Sequence, residues 1–233
     1  MIAHFFRVSL FIVLMVGSSL PVVHAEHQIP DVLTVELQFI PDVVNGKRVY
    51  AVCESCHLPD GWGNSDGVYP QLAGQHATVL MKQLLDIREG RRDNPSMYPF
   101  VQERTIGGYQ NLADVVAYIS TLPMSPFHGK GKWGKASNEF QQGAELFKGK
   151  CAVCHGDKAQ GSADAEIPRL QGQHYAYLVQ QARLIVSHQR MADAGMLAVI
   201  SSLNLHEIDL VMNYISRFRV PRSDLDGMEA NSE

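Results

Sequence analysis

The sequence has no excess of basic residues, no Ser-His-Asp set and no glycine-rich phosphate loop. Lysine and arginine total 20 against 24 acidic residues, for a formal net charge of −4. Nucleic-acid binding needs clustered positive charge, so this balance argues against nucleic acid as the main partner. Charged residues make up 19% and apolar residues 45% of the 233 positions, which argues against global disorder and is enough for the cores of two small domains.

The first 25 residues have the composition of a secretory signal peptide. Arg7 supplies a short positive region, Val8–Leu20 is almost wholly apolar, and Val23-His24-Ala25 provides the small or modest residues of a cleavage site. An uncleaved membrane anchor is the alternative, because Phe5–Val23 is nearly long enough to span a bilayer. Cleavage would leave 208 residues beginning at Glu26, with a net charge of −5. The signal predicts a location outside the cytoplasmic membrane, in the bacterial periplasm.

Cysteine is absent except in two short clusters, "CESCH" at 53–57 and "CAVCH" at 151–155. Two disulfides would suit an exported protein, and four thiolates could hold zinc, but neither explains the histidine that follows each pair. Two thiols three residues apart on one helical turn can add to the two vinyl groups of one haem, with the adjoining histidine under the iron. The clusters therefore predict two covalently bound haem c groups, held by Cys53, Cys56, Cys151 and Cys154.

An internal repeat surrounds the two clusters. Cys53 and Cys151 are 98 positions apart, and the same offset relates "YPQLAGQHATVLMKQL" at 69–84 to "IPRLQGQHYAYLVQQA" at 167–182. Each half thus has its own haem motif and its own copy of the surrounding scaffold. The repeat predicts two similar domains in tandem.

The segments around each motif have helical patterns, which predict an all-α fold. Pro41 is a candidate first helical residue, and Ser137 or Asn138 a candidate cap. Glycine-rich loops at 58–70 and 156–168 follow the motifs and should be irregular. The apolar spacing predicts helices at about 42–52, 75–89, 110–121, 138–150, 173–187 and 206–219.

These patterns divide the chain into six parts. The linker is rich in Pro, Gly and Lys, and its lysines are expected to be solvated rather than to form a docking patch. The segment "LTVELQF" at 33–39 alternates as an extended strand would, and should lie against the first domain. The parts are a signal peptide (1–25), an N-terminal extension (26–41), a first domain (42–122), a linker (123–137), a second domain (138–219) and a flexible tail (220–233).

The two halves resemble class I cytochrome c domains, each a small helical fold around one covalent haem. Their tandem arrangement and the "LAGQH" and "LQGQH" segments resemble the cytochrome c4 family of dihaem electron carriers, over about residues 42–219. The resemblance implies that His57 and His155 are proximal iron ligands, with a methionine as the sixth ligand in each half. It also implies that the carbonyls of Pro70 and Pro168 accept the other ring N–H of those histidines.

The candidate methionines are Met97 in the first half and Met196 in the second. Met81 belongs to a helical segment, and Met124 lies in the linker. Met196 follows Met97 by 99 positions, close to the repeat offset of 98, whereas Met191 follows it by 94. In class I cytochromes the axial methionine precedes the closing helix, with a loop between them.

Two further residue pairs are expected to have structural roles. His76 and His174 could ligate iron in a bis-histidine alternative, but their shared position at a helix start favours a structural or haem-edge role. Trp62 and Trp133 have no counterpart in the other half, and we expect them to be packing residues.

An iron held by His and Met on both faces has no open position for substrate, so it changes only its charge. We therefore expect an electron carrier, not an enzyme, that moves single electrons between redox proteins such as a quinol-oxidising complex and a terminal oxidase or reductase. Membrane association would come through those partners or an uncleaved anchor. An electron-transfer subunit of a larger dehydrogenase or reductase has the same sequence features and stays open. A haem enzyme would need an open or unusual ligand position, and no cysteine is spare.

Overall fold

The computed structural model describes residues 38–225, and the regular structure within this range is helical apart from one isolated bridge between Ser162 and Ile167. The first half contains α1 (Val43–Tyr50), α2 (Glu54–His57), α3 (Ala77–Arg88), α4 (Tyr98–Val101), α5 (Glu103–Ile106) and α6 (Tyr109–Ile119). The second contains α7 (Asn138–Leu146), a π-helical turn (Phe147–Cys151), α8 (Ala152–His155), α9 (Tyr175–Val186), α10 (Ala194–Ser201) and α11 (Leu205–Ile215), followed by a 3-10 turn (Arg222–Asp224). The all-α prediction is confirmed, and each half has its own buried apolar core.

The predicted signal peptide and residues 26–37 lie outside the described residues, as do residues 226–233. Of the segment 33–39, only Gln38 and Phe39 are described, and Phe39 packs against the core of the first domain. Within 38–225 no single helix is long and apolar enough to cross a membrane. Helices α10 and α11 meet that test of length and composition only as a pair, which is bent by 114°.

The start of α1 differs from the prediction, while the start of α7 agrees with it. Asp42 caps α1, because its carboxylate accepts hydrogen bonds from the backbone N–H groups of Val44 and Asn45. Pro41 therefore precedes the cap and is not the first helical residue. Ser137 caps α7 by accepting from the N–H of Phe140. A side-chain oxygen at this position satisfies donors that have no partner within the helix.

The first and last helices of each domain cross at a glycine. A Cβ built on Gly46 would lie 1.9 Å from the carbonyl oxygen of Asp114 in α6, and one built on Gly143 would lie 2.3 Å from that of Leu210 in α11. Both distances are far below normal contact. Glycine is therefore required at both crossings, because any side chain would force the helices apart. These crossings pack the chain just before each cysteine cluster against the closing helix.

Helix α10 was not predicted from the sequence. Its residues, "AGMLAVIS", are apolar on nearly all sides, so the amphipathic period that reveals other helices is missing. Asp193 caps it by accepting from the N–H of Gly195. The segment between Met196 and α11 is therefore largely helical, and the expectation of a loop there was wrong.

The two domains meet through the repeated Gly-Gln-His segments. The side chain of Gln173 accepts from the N–H of Gln71 at 3.0 Å and donates to its carbonyl at 2.9 Å. The side chain of Gln75 makes the same two bonds with the backbone of Arg169, both at 2.9 Å. Because Gln75 and Gln173, like residues 71 and 169, are 98 positions apart, the contact has pseudo-twofold symmetry.

The linker and the start of the tail also belong to this interface. Met124 and His128 in the linker are buried, and His128 donates from Nε2 to the carbonyl of Ser216 at 2.8 Å. The carboxylate of Asp224 pairs with Arg169 at 2.7 Å, and its carbonyl accepts from the N–H of Met124. We expected a solvated linker and a flexible tail, and both expectations are wrong at these positions, which are packed into the interface. The linker lysines are exposed, as expected: Lys130, Lys132 and Lys135.

Candidate functional site

Each cysteine cluster forms a single helical turn. The N–H of His57 donates to the carbonyl of Cys53 at 2.9 Å, and the N–H of Cys56 donates to the same carbonyl at 3.2 Å. Leu58 ends the turn with φ 67°, and its counterpart Gly156 has φ 79°. This left-handed residue turns the chain sharply after the histidine, which is strained for leucine and unstrained for glycine. One turn therefore presents two thiols and a histidine in each domain.

The four cysteines form no disulfide with one another, and no group of three or more His, Cys, Asp or Glu side chains in residues 38–225 could hold a metal ion. The disulfide and four-thiolate zinc alternatives therefore find no support in the described part of the chain. Burial raises the pKa of Cys53 to about 11, with Cys56 adding to the effect, and burial raises the pKa of Cys151 to about 11. Before haem attachment both groups are therefore thiols at neutral pH, and each lies one turn from a second thiol, as attachment to two vinyl groups requires.

The two histidines are buried and held in one tautomer. Nδ1 of His57 lies 3.1 Å from the carbonyl oxygen of Pro70, and Nδ1 of His155 lies 3.1 Å from that of Pro168. A carbonyl oxygen can only accept, so Nδ1 carries the proton. Burial lowers the pKa of both rings, although the carbonyl bond opposes this. The rings are therefore neutral, and the lone pair of Nε2 is available to an iron atom. This donor set fits a covalently attached haem.

The candidate methionines differ in burial. Met97 is half-buried directly before α4, and its N–H donates to Asn94. Met196 is half-buried on α10 and packs against the core of the second domain, whereas Met191 is 76% exposed. Met81 lies in the core of the first domain, and the sulfur of the buried Met124 accepts from Arg169 at 3.1 Å.

The repeated histidines make hydrogen bonds across the interface, in keeping with the structural role expected for them. His174 donates from Nε2 to the carbonyl of Trp62 at 2.7 Å, and His76 donates likewise to the carbonyl of Gln160 at 2.8 Å. The interdomain role of the glutamine that precedes each histidine was not foreseen. The signal was present in the sequence, because "GQH" occurs in both halves at the repeat offset of 98. Trp62 additionally donates its indole N–H to the carbonyl of Pro123 in the linker.

Comparison with known proteins agrees with this geometry. The Cytochrome c family model matches residues 43–123 and 140–217, so each match contains one cysteine cluster. A cytochrome c4 from Pseudomonas aeruginosa is 31% identical over 186 residues, which cover 75% of this chain and 87% of that protein. The chain belongs to the cytochrome c4 family. The crystal structure of reduced cytochrome c4 from Pseudomonas stutzeri superimposes with a TM-score of 0.66 and 28% identity, over 77% of this chain and all of that one.

This cytochrome has two haem c groups, one attached at Cys53 and Cys56 and the other at Cys151 and Cys154. It is an electron carrier rather than an enzyme, with redox proteins as partners. A second kind of relative is the thiosulfate dehydrogenase electron acceptor of Stutzerimonas stutzeri, which is 30% identical over 58% of this chain and 67% of that protein.

Proposed function

We propose that this cytochrome is a periplasmic carrier that transfers single electrons from a quinol-oxidising complex to a terminal oxidase or reductase. The observation that carries the proposal is the matched pair of buried histidines, each held through Nδ1 by a proline carbonyl at 3.1 Å, while Nε2 makes no hydrogen bond within residues 38–225. Each bound haem supplies a one-electron change of its iron. Two such sites in one chain give a carrier of two electrons, one at each domain.

His57 and Met97 are the proposed axial ligands in the first domain, and His155 and Met196 in the second. The half-buried position of Met196 against the second core supports its selection, because a ligand must face the interior of its domain. Met191 is 76% exposed. Methionine as the sixth ligand favours ferrous iron and raises the reduction potential compared with a second histidine. Pro70 and Pro168 fix the ring orientation of the two histidines.

The ligand assignment is tested by replacing one methionine at a time. Met97→Leu and Met196→Leu should each remove half of the near-infrared band of methionine–iron ligation in the ferric protein, and should let one reduced haem bind carbon monoxide. Met191→Leu is the matched control and should leave the band and the carbon monoxide reactivity unchanged. Loss of the band in Met191→Leu instead would reverse the assignment for the second domain.

A second candidate function is service as the electron acceptor of a dehydrogenase, and the similarity to the thiosulfate dehydrogenase electron acceptor favours it. Mixing the oxidised protein in a stopped-flow instrument with a purified quinol-oxidising complex, or with a purified thiosulfate dehydrogenase and thiosulfate, separates the two. Fast reduction by the quinol-oxidising complex alone supports the respiratory carrier. Reduction by the dehydrogenase alone, or co-purification with it at low salt, supports the second candidate.

A further inference from the structure

We propose that each domain tunes the reduction potential of the other domain's haem through the glutamine of its Gly-Gln-His segment. The inference rests on the proposed iron ligands His57 and His155. It assigns Gln173 to the first haem and Gln75 to the second as positioning residues that act through a peptide group.

In the first domain one peptide group connects the proximal histidine to the second domain. His57 Nδ1 donates to the carbonyl oxygen of Pro70 at 3.1 Å. The nitrogen of that same peptide belongs to Gln71, and it donates to Oε1 of Gln173 at 3.0 Å. The Nε2 of Gln173 is held in place because it donates to the carbonyl of Gln71 at 2.9 Å. The acceptor of the histidine proton thus belongs to a peptide that donates across the domain boundary.

The second domain repeats this connection in the opposite direction. His155 Nδ1 donates to the carbonyl of Pro168 at 3.1 Å, and the nitrogen of that peptide, in Arg169, donates to Oε1 of Gln75 at 2.9 Å. Gln75 Nε2 is fixed by the carbonyl of Arg169, also at 2.9 Å. Two independent copies of the arrangement show that it follows from the repeated scaffold and not from one local contact.

A hydrogen bond donated by a peptide nitrogen polarises the carbonyl of the same peptide. Hydrogen bonds in such chains strengthen one another by about 10–30% each. The carbonyl of Pro70 is then a stronger acceptor, which makes the ring of His57 more basic toward its metal. A more basic ligand favours ferric over ferrous iron. The glutamine therefore lowers the reduction potential of the haem in the opposite domain, and its removal should raise that potential.

The two connections differ in their exposure to water. Gln173 is only 8% exposed, whereas Gln75 is half-buried. Water can replace a lost acceptor more readily at the exposed site, and polarisation is stronger where the local dielectric is low. The first haem should therefore respond more to loss of Gln173 than the second haem responds to loss of Gln75.

The test measures the potential of each haem in the intact dihaem protein. Potentiometric titration followed by proton NMR distinguishes the haems, because the shifted methyl resonance of each axial methionine is assigned with Met97→Leu and Met196→Leu. In Gln173→Leu we expect the ratio of reduced to oxidised first haem, measured at a fixed solution potential, to increase about threefold. This corresponds to a rise of about 30 mV in its one-electron reduction potential. The second haem should keep its potential. In Gln75→Leu the second haem should rise by less, and the first should not change.

Gln71→Leu is the matched control. Its side chain also crosses the interface, donating to the carbonyl of Gly172 at 2.7 Å and accepting from the N–H of Ser125 at 2.8 Å. Its replacement removes these two bonds but leaves the backbone bond to Gln173. The control should therefore destabilise the interface without selectively moving the first haem.

Three results would overturn the inference. The first is that both reduction potentials are unchanged in Gln173→Leu while both methionine signals are intact. The second is that the potential changes at the haem of the mutated domain and not at the haem of the opposite domain. The third is that Gln71→Leu changes the potential of the first haem as much as Gln173→Leu does. If Gln173→Leu does not accumulate with two haems, Gln75→Leu at the half-buried site provides the equivalent test. In that variant the potential of the second haem should rise and that of the first should not change. Failure of the ligand assignment itself is separate, because wild-type protein would then lack histidine–methionine signals at one haem before any glutamine is changed.

Discussion

The close crossing of α7 and α11 predicts that Gly143→Ala destabilises the second domain. The new Cβ would lie 2.3 Å from the oxygen and 2.8 Å from the carbon of the Leu210 carbonyl, whereas real contacts stay beyond 3.0 Å, so the helices must separate by about 0.7 Å. Overpacking of this kind costs about 1–3 kcal/mol, and the clash is with backbone that cannot rotate away. Alanine has a higher helix propensity than glycine, which offsets about 1 kcal/mol of this cost. A net loss of about 1 kcal/mol should lower Tm by about 4–8 °C in a domain of this size.

Gly149→Ala is the matched control for this prediction. Gly149 lies in the turn that follows α7, and a Cβ there would meet nothing within 4 Å. Its replacement should leave the domain as stable as before or slightly more stable. Thermal unfolding of both variants is followed by circular dichroism, with the haem absorbance as a second probe. If Gly143→Ala melts at the same temperature as Gly149→Ala, the helices can separate without cost and the reasoning from the crossing fails.

Three further predictions follow from other parts of the chain. The mass of the denatured protein should exceed that of the polypeptide by two haems, and joint replacement of Cys151 and Cys154 by Ala should reduce the excess to one haem. Loss of the haem colour on acid–acetone extraction would contradict covalent attachment. Burial lowers the pKa of His128, so the unfolded chain binds its proton more readily and stability should fall as pH drops below about 6.5; denaturation curves of His128→Gln should show a weaker decline. Intact mass after periplasmic expression should place the mature N-terminus at Glu26, and a retained leader would indicate the anchor.

The haem motifs and most helices could be predicted because their chemistry imposes a spacing on the sequence. Attachment to two vinyl groups requires thiols one turn apart with the histidine adjacent, so Cys53 and its neighbours are recognisable without any structure. The long helices have one apolar face, which gives a period of 3.6 residues. Ala77–Arg88 and Tyr175–Val186 were expected at 75–89 and 173–187 for this reason.

The interface and α10 could not be predicted, because nothing local in the sequence specifies them. The apolar residues of α10 have no polar face to mark a helix. The bonds of Gln173 join residues 102 positions apart, and those of Asp224 reach Arg169 55 positions away. A glycine in a helix interior such as Gly143 lowers the local helix propensity, and its purpose appears only when the closing helix is placed beside it.

The pseudo-twofold contact is self-complementary within each half. The first domain contains both the donor glutamine, Gln75, and the backbone edge at residue 71 that an equivalent glutamine binds, and it also contains both His76 and the Trp62 carbonyl. Two copies of one such domain could therefore form an isologous homodimer with every bond made twice. Duplication and fusion of a gene for one such domain would give a chain of this arrangement. Each half could then acquire substitutions independently of the other.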